Sequence, residues 1–81
     1  MSEENEENQE PEPTVVADIE KPNGEVVRVQ LKEFKGKEYL DIRTHYYADE
    51  DELRPTKKGI SLSTDLFTEL KEAILKAEEE F

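Results

Sequence analysis

Cysteine is missing from all 81 positions, so neither a disulfide framework nor a thiolate-bound metal is available to stabilise a chain this short. Its size leaves room for one domain. A single copy buries only a modest share of its unfolded surface, which makes pairing with a second copy the expected remedy. Long apolar runs are missing too, and none approaches the roughly 20 residues of a membrane-spanning helix. The start, Met1-Ser2-Glu3-Glu4, is acidic where a secretory signal or organelle presequence is basic, so the chain is expected inside the cell. No phosphate-gripping glycine loop and no zinc-ligand spacing occur. His45 is the single histidine and reads as a surface or interface side chain. Asp41, His45 and Ser61 lack the nucleophile turn that a catalytic triad requires. The run Asp49-Glu50-Asp51-Glu52 lacks the glycine and spaced oxygens of a calcium loop. No enzyme, cofactor, metal site or small-molecule substrate is therefore expected.

What the chain has in abundance is charge, and its placement matters more than its sum. The net charge is −11, which by itself repels phosphate. Residues 1–13 hold six acids and no base, and residues 63–81 hold six acids against two lysines. Residues 25–62 hold eight acids and eight bases, and four of those acids are the run 49–52. The middle of the chain is basic and its ends are acidic.

Residues 1–13 carry almost no apolar side chain and read as a disordered acidic tail, leaving 14–81 as the folded domain. From Thr14 the pattern alternates, with Val15, Ala17 and Ile19 on one face of a strand. Pro22-Asn23-Gly24 marks a turn. Val26 to Phe34 follows as a second strand, with Val27, Val29 and Leu31 on one face and Arg28, Gln30, Lys32 and Phe34 on the other. Lys35-Gly36 predicts a tight hairpin turn. Glu38 to Tyr47 is a third strand, with Leu40 and Ile42 inward and Tyr39, Asp41, Arg43 and His45 opposite. The run 49–52 reads as a loop. A fourth strand starts late at Arg54-Pro55, with Lys58, Ile60 and Leu62 alternating at its end. Ser63 is a good N-cap for a helix over Thr64 to Glu78, whose apolar stripe is Leu66, Phe67, Leu70, Ala73, Ile74 and Ala77. The order is ββββα, an α+β fold.

The informative constellation is the basic and aromatic set around the hairpin and the strands it joins. Phe34, Lys35 and Lys37 surround the turn, Arg43 and Tyr46 follow, and Lys57 and Lys58 enter the last strand. Cations that track a phosphate backbone, combined with flat rings on which bases stack, are what sequence-tolerant binding of single strands requires.

The segment Lys32-Glu33-Phe34-Lys35-Gly36-Lys37, then Leu40-Asp41-Ile42-Arg43, then Pro55-Thr56-Lys57-Lys58-Gly59-Ile60-Ser61-Leu62, resembles the positive cofactor 4 family of transcriptional coactivators. The match runs without gaps from Lys32 to Leu62, and the helix pattern Phe67, Leu70-Lys71-Glu72, Ile74 continues it. The resemblance implies a curved four-stranded antiparallel sheet followed by one helix. It implies a homodimer paired through helices and sheets, with Leu66, Phe67, Leu70 and Ile74 at the interface. It implies single-stranded DNA as ligand, with stacking at Phe34 and Tyr46, where the human member has tryptophan. Backbone contacts fall on Lys35, Lys37, Arg43, Lys57 and Lys58, with Arg28 and Lys32 beside them. Two positions at which the human member is basic are Glu25 and Val27 here. The expected role is support of transcription, replication or repair, together with the transcription machinery, in a minimal member of bacterial or viral kind. Such a protein works in the cytoplasm or nucleoid of a bacterium, or in a nucleus. RNA is admitted as a ligand, because nothing marks a reader of the 2′-hydroxyl.

A different class of reading is a protein–protein adaptor or acidic nucleic-acid mimic without DNA binding. Tyr46 leaves a geometric question open. It shares strand parity with the inward Leu40 and Ile42, so either a bulge re-aims it or it lies beyond the edge of the helix.

Overall fold

The computed structural model describes residues 11–81. Strands β1 (Thr14–Glu20), β2 (Val26–Phe34), β3 (Lys37–Asp49) and β4 (Glu52–Ser63) form one antiparallel sheet in the order β1-β2-β3-β4. A short 3-10 turn, Thr64–Leu66, leads into the helix α1 (Phe67–Glu78). The expected ββββα order is thus the architecture of the chain. The first ten residues of the expected acidic tail lie outside the described residues.

Each connection follows from local chemistry. Between β1 and β2, the Gly24 N–H donates to the Lys21 carbonyl at 3.0 Å and the Asn23 carboxamide oxygen accepts from the Glu25 N–H at 2.9 Å. Between β2 and β3, Lys35 and Gly36 have φ of 53° and 79°, the two left-handed residues of a type I′ turn whose twist matches that of the strands. The run read as a loop over 49–52 is tighter than expected: Asp49 pairs with Glu52, leaving only Glu50-Asp51 as turn. The two strands it joins are correspondingly longer than the sequence indicated. Ser63 caps as expected, its Oγ accepting from the Asp65 N–H at 3.2 Å. The first turn is 3-10, however, so the α-helix begins at Phe67 and not at Thr64.

The β2–β3 ladder runs in unbroken register from Phe34↔Lys37 to Val26↔His45, so the alternation of both strands defines two faces. One, the apolar face, carries Val27, Val29 and Leu31 with Leu40 and Ile42. The other, the polar face, carries Val26, Arg28, Gln30, Lys32 and Phe34 with Lys37, Tyr39, Asp41, Arg43 and His45. A bulge between Val15 and Ala17 interrupts β1. It places Val15 opposite Gln30 and Ala17 opposite Val29, so Val15, Ala17 and Ile19 do not share one face as alternation alone predicted. Val16 instead joins Val29, Leu31, Leu40 and Phe67 around an apolar recess.

A second bulge lies in β4. Arg43 pairs with Gly59 and His45 with Pro55, so Thr56, Lys57 and Lys58 face the single residue Thr44. Gly59 is the close-approach point beside this bulge. A Cβ there would sit 2.5 Å from the Ile42 carbonyl oxygen and 2.7 Å from the Arg43 Cα, and those are backbone atoms that cannot turn aside. Gly59→Ala is expected to destabilise the fold by about 1–3 kcal/mol, the usual cost of overpacking, read as a lowered urea midpoint at unchanged m.

Burial within one chain is slight. Only Val26 and Leu40 are buried apolar residues among those described. Phe67, Leu70 and Ile74 line an open groove of about 280 Å³ with Val29, Leu40 and Ile42, so these three members of the expected stripe lie along the apolar face without closing on it. They are joined by Leu75, which the expected stripe left out, and not by Leu66, Ala73 or Ala77. The radius of gyration is 15.3 Å, against about 12 Å for a packed domain of this length.

Candidate nucleic-acid interface

The polar face is a mosaic of cations and partnered acids. Arg28 donates from Nε and Nη2 to the two carboxylate oxygens of Asp18 at 2.8 and 2.9 Å. These hydrogen bonds hold the Asp18 carboxyl below its ordinary pKa and raise that of Arg28. Asp41, only 1% exposed, is surrounded by donors. Arg43 Nη2 lies 3.0 Å from its Oδ1, Gln30 Nε2 3.5 Å from Oδ2, and Lys32 Nζ 3.9 Å from Oδ2. A buried carboxylate is tolerated when donors surround it in this way. Arg28, Lys32 and Arg43 therefore lie where the sequence placed them, with much of their charge balanced by Asp18 and Asp41.

Glu25, which stands where a base was expected, is drawn into the first turn. Lys21 Nζ at 3.0 Å and Asn23 Nδ2 at 3.1 Å both donate to its Oε1, and these two bonds lower its pKa.

The uncompensated charge lies elsewhere. Lys35, Lys37, Lys57 and Lys58 form no ion pair among the described residues. Lys35 and Lys37 lie at the β2–β3 turn beside Phe34, a residue 50% exposed. The Lys35 ammonium stands 5.3 Å from the centre of that ring, within cation–π reach. A half-exposed phenylalanine on a rigid two-residue turn, flanked by cations, offers a flat face to a base and charge to the adjoining phosphates.

The other predicted residues stand apart from this tip. Tyr46 lies nine positions beyond Lys37 along β3, about 30 Å away, where it pairs with Arg54. The register of β3 on β2 is continuous through His45, so no bulge in that ladder re-aims Tyr46. It keeps the alternation of Leu40 and Ile42, opposite to that of Phe34. Lys58 takes the alternation of Ile60 and shares an open recess with Val27, Ile42 and Thr44. The basic and aromatic residues thus form two groups, one at the β2–β3 turn and one towards the β3–β4 end.

His45 differs from its sequence reading. It is buried within the single chain, with Nδ1 3.2 Å from the Arg43 carbonyl oxygen, because it pairs with Val26 on one side and Pro55 on the other. The same parity marks Tyr47, half exposed, as an aromatic on the polar face that the sequence reading passed over. Alternation counted from Asp41 was the available signal.

Comparison with known proteins adds to this geometry. The sequence model of the family described as Transcriptional Coactivator p15 (PC4) matches residues 21–73. The RNA polymerase II transcriptional coactivator KELP of Arabidopsis thaliana is 48% identical over 44 residues, covering 54% of this chain and 26% of that protein. The chain spans less than half the length of the curated relatives it matches. Among solved structures, a PC4 homolog from Burkholderia pseudomallei superposes with a TM-score of 0.77 at 25% identity, covering 84% of this chain and 92% of that one. The Bacteriophage T5 homolog of the eukaryotic transcription coactivator PC4, implicated in recombination-dependent DNA replication, superposes with a TM-score of 0.69 at 28% identity. That match covers 86% of this chain and 81% of the phage chain.

Proposed function

The chain belongs to the transcriptional coactivator p15 (PC4) family, a family of coactivators and not of enzymes, and on that premise we propose that it is an intracellular homodimer that binds single-stranded DNA without sequence preference. The observation that carries this reading is Phe34, half exposed at the β2–β3 turn with the Lys35 ammonium over its ring and Lys37 beside it. Stacking is sequence-tolerant because every base has a π-face. Lys35, Lys37, Lys57 and Lys58 supply the phosphate contacts, and Tyr46 supplies a second ring. Arg28, Lys32 and Arg43 contribute the positive field behind them. In this reading two copies pair over the open groove lined by Phe67, Leu70 and Ile74, which brings two sets of the separated Phe34 and Tyr46 groups into one particle. Such a protein serves exposed single strands in transcription or in replication and recombination. It does so beside the transcription machinery, as the coactivator relatives' names indicate, or beside a replication apparatus, as the phage homolog's does.

The test is fluorescence anisotropy of a labelled oligo-dT of about 20 nucleotides, longer than the 4–16 nucleotides of common single-strand sites, titrated at several salt concentrations. Four phosphate contacts, each releasing about 0.7 counterion, predict a log–log slope near −3. A slope near zero, or no binding at low salt, discards the reading in favour of a protein-binding adaptor.

A further inference from the structure

Arg43 stands among the basic residues of the polar face, yet its guanidinium is already committed inside the fold. Nε and Nη2 both donate to Asp41, with Nη2 3.0 Å from Oδ1, and Nη1 donates to the Thr56 carbonyl at 3.1 Å. Its side chain is largely covered, and the carboxylate it holds is buried. Thr56 opens the three-residue bulge of β4, and that bulge is stapled a second time. The Thr56 hydroxyl donates to the Thr44 carbonyl at 2.9 Å and accepts from the Lys58 N–H at 3.1 Å. Gly59 closes the bulge at the one point where Arg43 passes too near for a side chain.

We infer that Arg43 is a positioning residue: braced on buried Asp41, it holds the Thr56 carbonyl and so sets the bulge that presents Lys57 and Lys58, instead of taking a phosphate itself. The inference rests on the single-strand-binding reading for its consequence and on the Asp41–Arg43–Thr56 chain for its mechanism. A bulge is the part of a ladder that backbone pairing does not determine. Three residues facing one have lost their regular partners, and side chains have to supply the replacements. The planar fork of arginine reaches a carboxylate and a carbonyl at once, a geometry that the point charge of lysine does not reproduce. Two cations on adjacent positions of a fixed bulge are held near a strand without first losing the freedom of a mobile loop.

This assignment separates from direct phosphate contact by the sign of one effect. Asp41→Asn deletes a negative charge from the polar face, which by field alone tightens oligonucleotide binding. If Asp41 braces Arg43, the same change loosens the bulge and weakens binding, by roughly five- to tenfold for a coupled network of this kind. Two measurements on the full chain decide between them. The first, made without DNA, is NMR hydrogen exchange at the Lys58 amide, with the Arg28 amide in the β2 ladder as internal reference. The second is anisotropy with oligo-dT.

The expected result for Asp41→Asn and for Arg43→Lys is faster exchange at Lys58 with Arg28 unchanged, together with weaker binding. In a chain already lacking both lysines (Lys57→Ala with Lys58→Ala), Arg43→Lys is expected to weaken binding no further. Unchanged exchange with tighter binding by Asp41→Asn overturns the inference. So does an Arg43→Lys effect that persists in full without the two lysines. If Asp41→Asn fails to fold, Arg43→Lys, which keeps the positive charge, carries the test alone, and unchanged Lys58 exchange with unchanged binding in that variant overturns the inference. Wild-type protein that shows no oligonucleotide binding rejects the functional reading, while the exchange data still judge the brace.

Discussion

Replacing Phe34 by alanine is expected to weaken single-strand binding by 1–3 kcal/mol, about 5- to 150-fold, while leaving the melting temperature nearly unchanged. The two halves of that expectation come from the same fact. Phe34 is half exposed, so little packing is lost with it, and a surface change of this kind usually falls within about 0.5 kcal/mol in stability. What is lost is the stacking surface and the seat of the Lys35 ammonium, 5.3 Å from the ring centre. Phe34→Trp is expected to bind at least as well as the wild type, because it keeps a flat face at the same turn. Anisotropy with oligo-dT measures both variants, and an unaltered affinity for Phe34→Ala rejects stacking at this position.

Ile74→Glu is expected to have an effect out of proportion to its exposure. In the single chain Ile74 is 54% exposed on α1, and a substitution there would ordinarily be nearly silent. The groove it lines with Phe67 and Leu70 is open, however, and Val29 and Ile42 at its floor are only partly covered by the described residues. If a second copy closes this face, a glutamate at its centre buries an unpaired charge on association. Light scattering is then expected to report 9.4 kDa in place of twice that mass. The melting temperature is expected to fall by well over 10 °C and, in the wild type alone, to rise with protein concentration. A wild-type chain that runs as a monomer with a concentration-independent melt excludes the dimer. The same outcome would leave the slight burial of this chain without a remedy.

Much of the fold was legible because its signals are local. Alternation of apolar residues from Val26 to Phe34 and from Glu38 onward marks strands whatever they pair with. Lys35-Gly36 and Ser63 act through φ preference and a single side-chain oxygen. The boundaries were less legible, since nothing in Asp49-Glu50-Asp51-Glu52 by itself shows that its outer members pair. The bulges were not legible at all. An extra residue in β1 or β4 is detected only against the partner strand, and one such residue was enough to move Val15 off the face shared by Ala17 and Ile19. His45 was misread for the same reason, because its burial depends on Val26 and Pro55, which flank it on separate strands.

The candidate site divides along the same line. Residue type and short-range spacing determined that this chain has four strands and a helix, that its middle is basic, and that Phe34 stands among lysines at a hairpin turn. Those properties act over a few residues, and a strand or turn carries them into any fold. Tertiary structure decided which cations are paired with an acid on another strand. Arg28 meets Asp18 across the β1–β2 ladder, whereas Lys35, Lys37, Lys57 and Lys58 form no ion pair among the described residues. Arg43 meets Asp41 two positions away on its own strand, a pairing that alternation already allowed. Alternation along β3 already set Tyr46 on the opposite side of the sheet from Phe34; what tertiary structure added is an unbroken β2–β3 register through His45, with no bulge to re-aim it. The physical reason is that Coulomb energy and hydrogen bonding fall off over a few ångströms of space, and distance in space between residues ten positions apart is set by strand register.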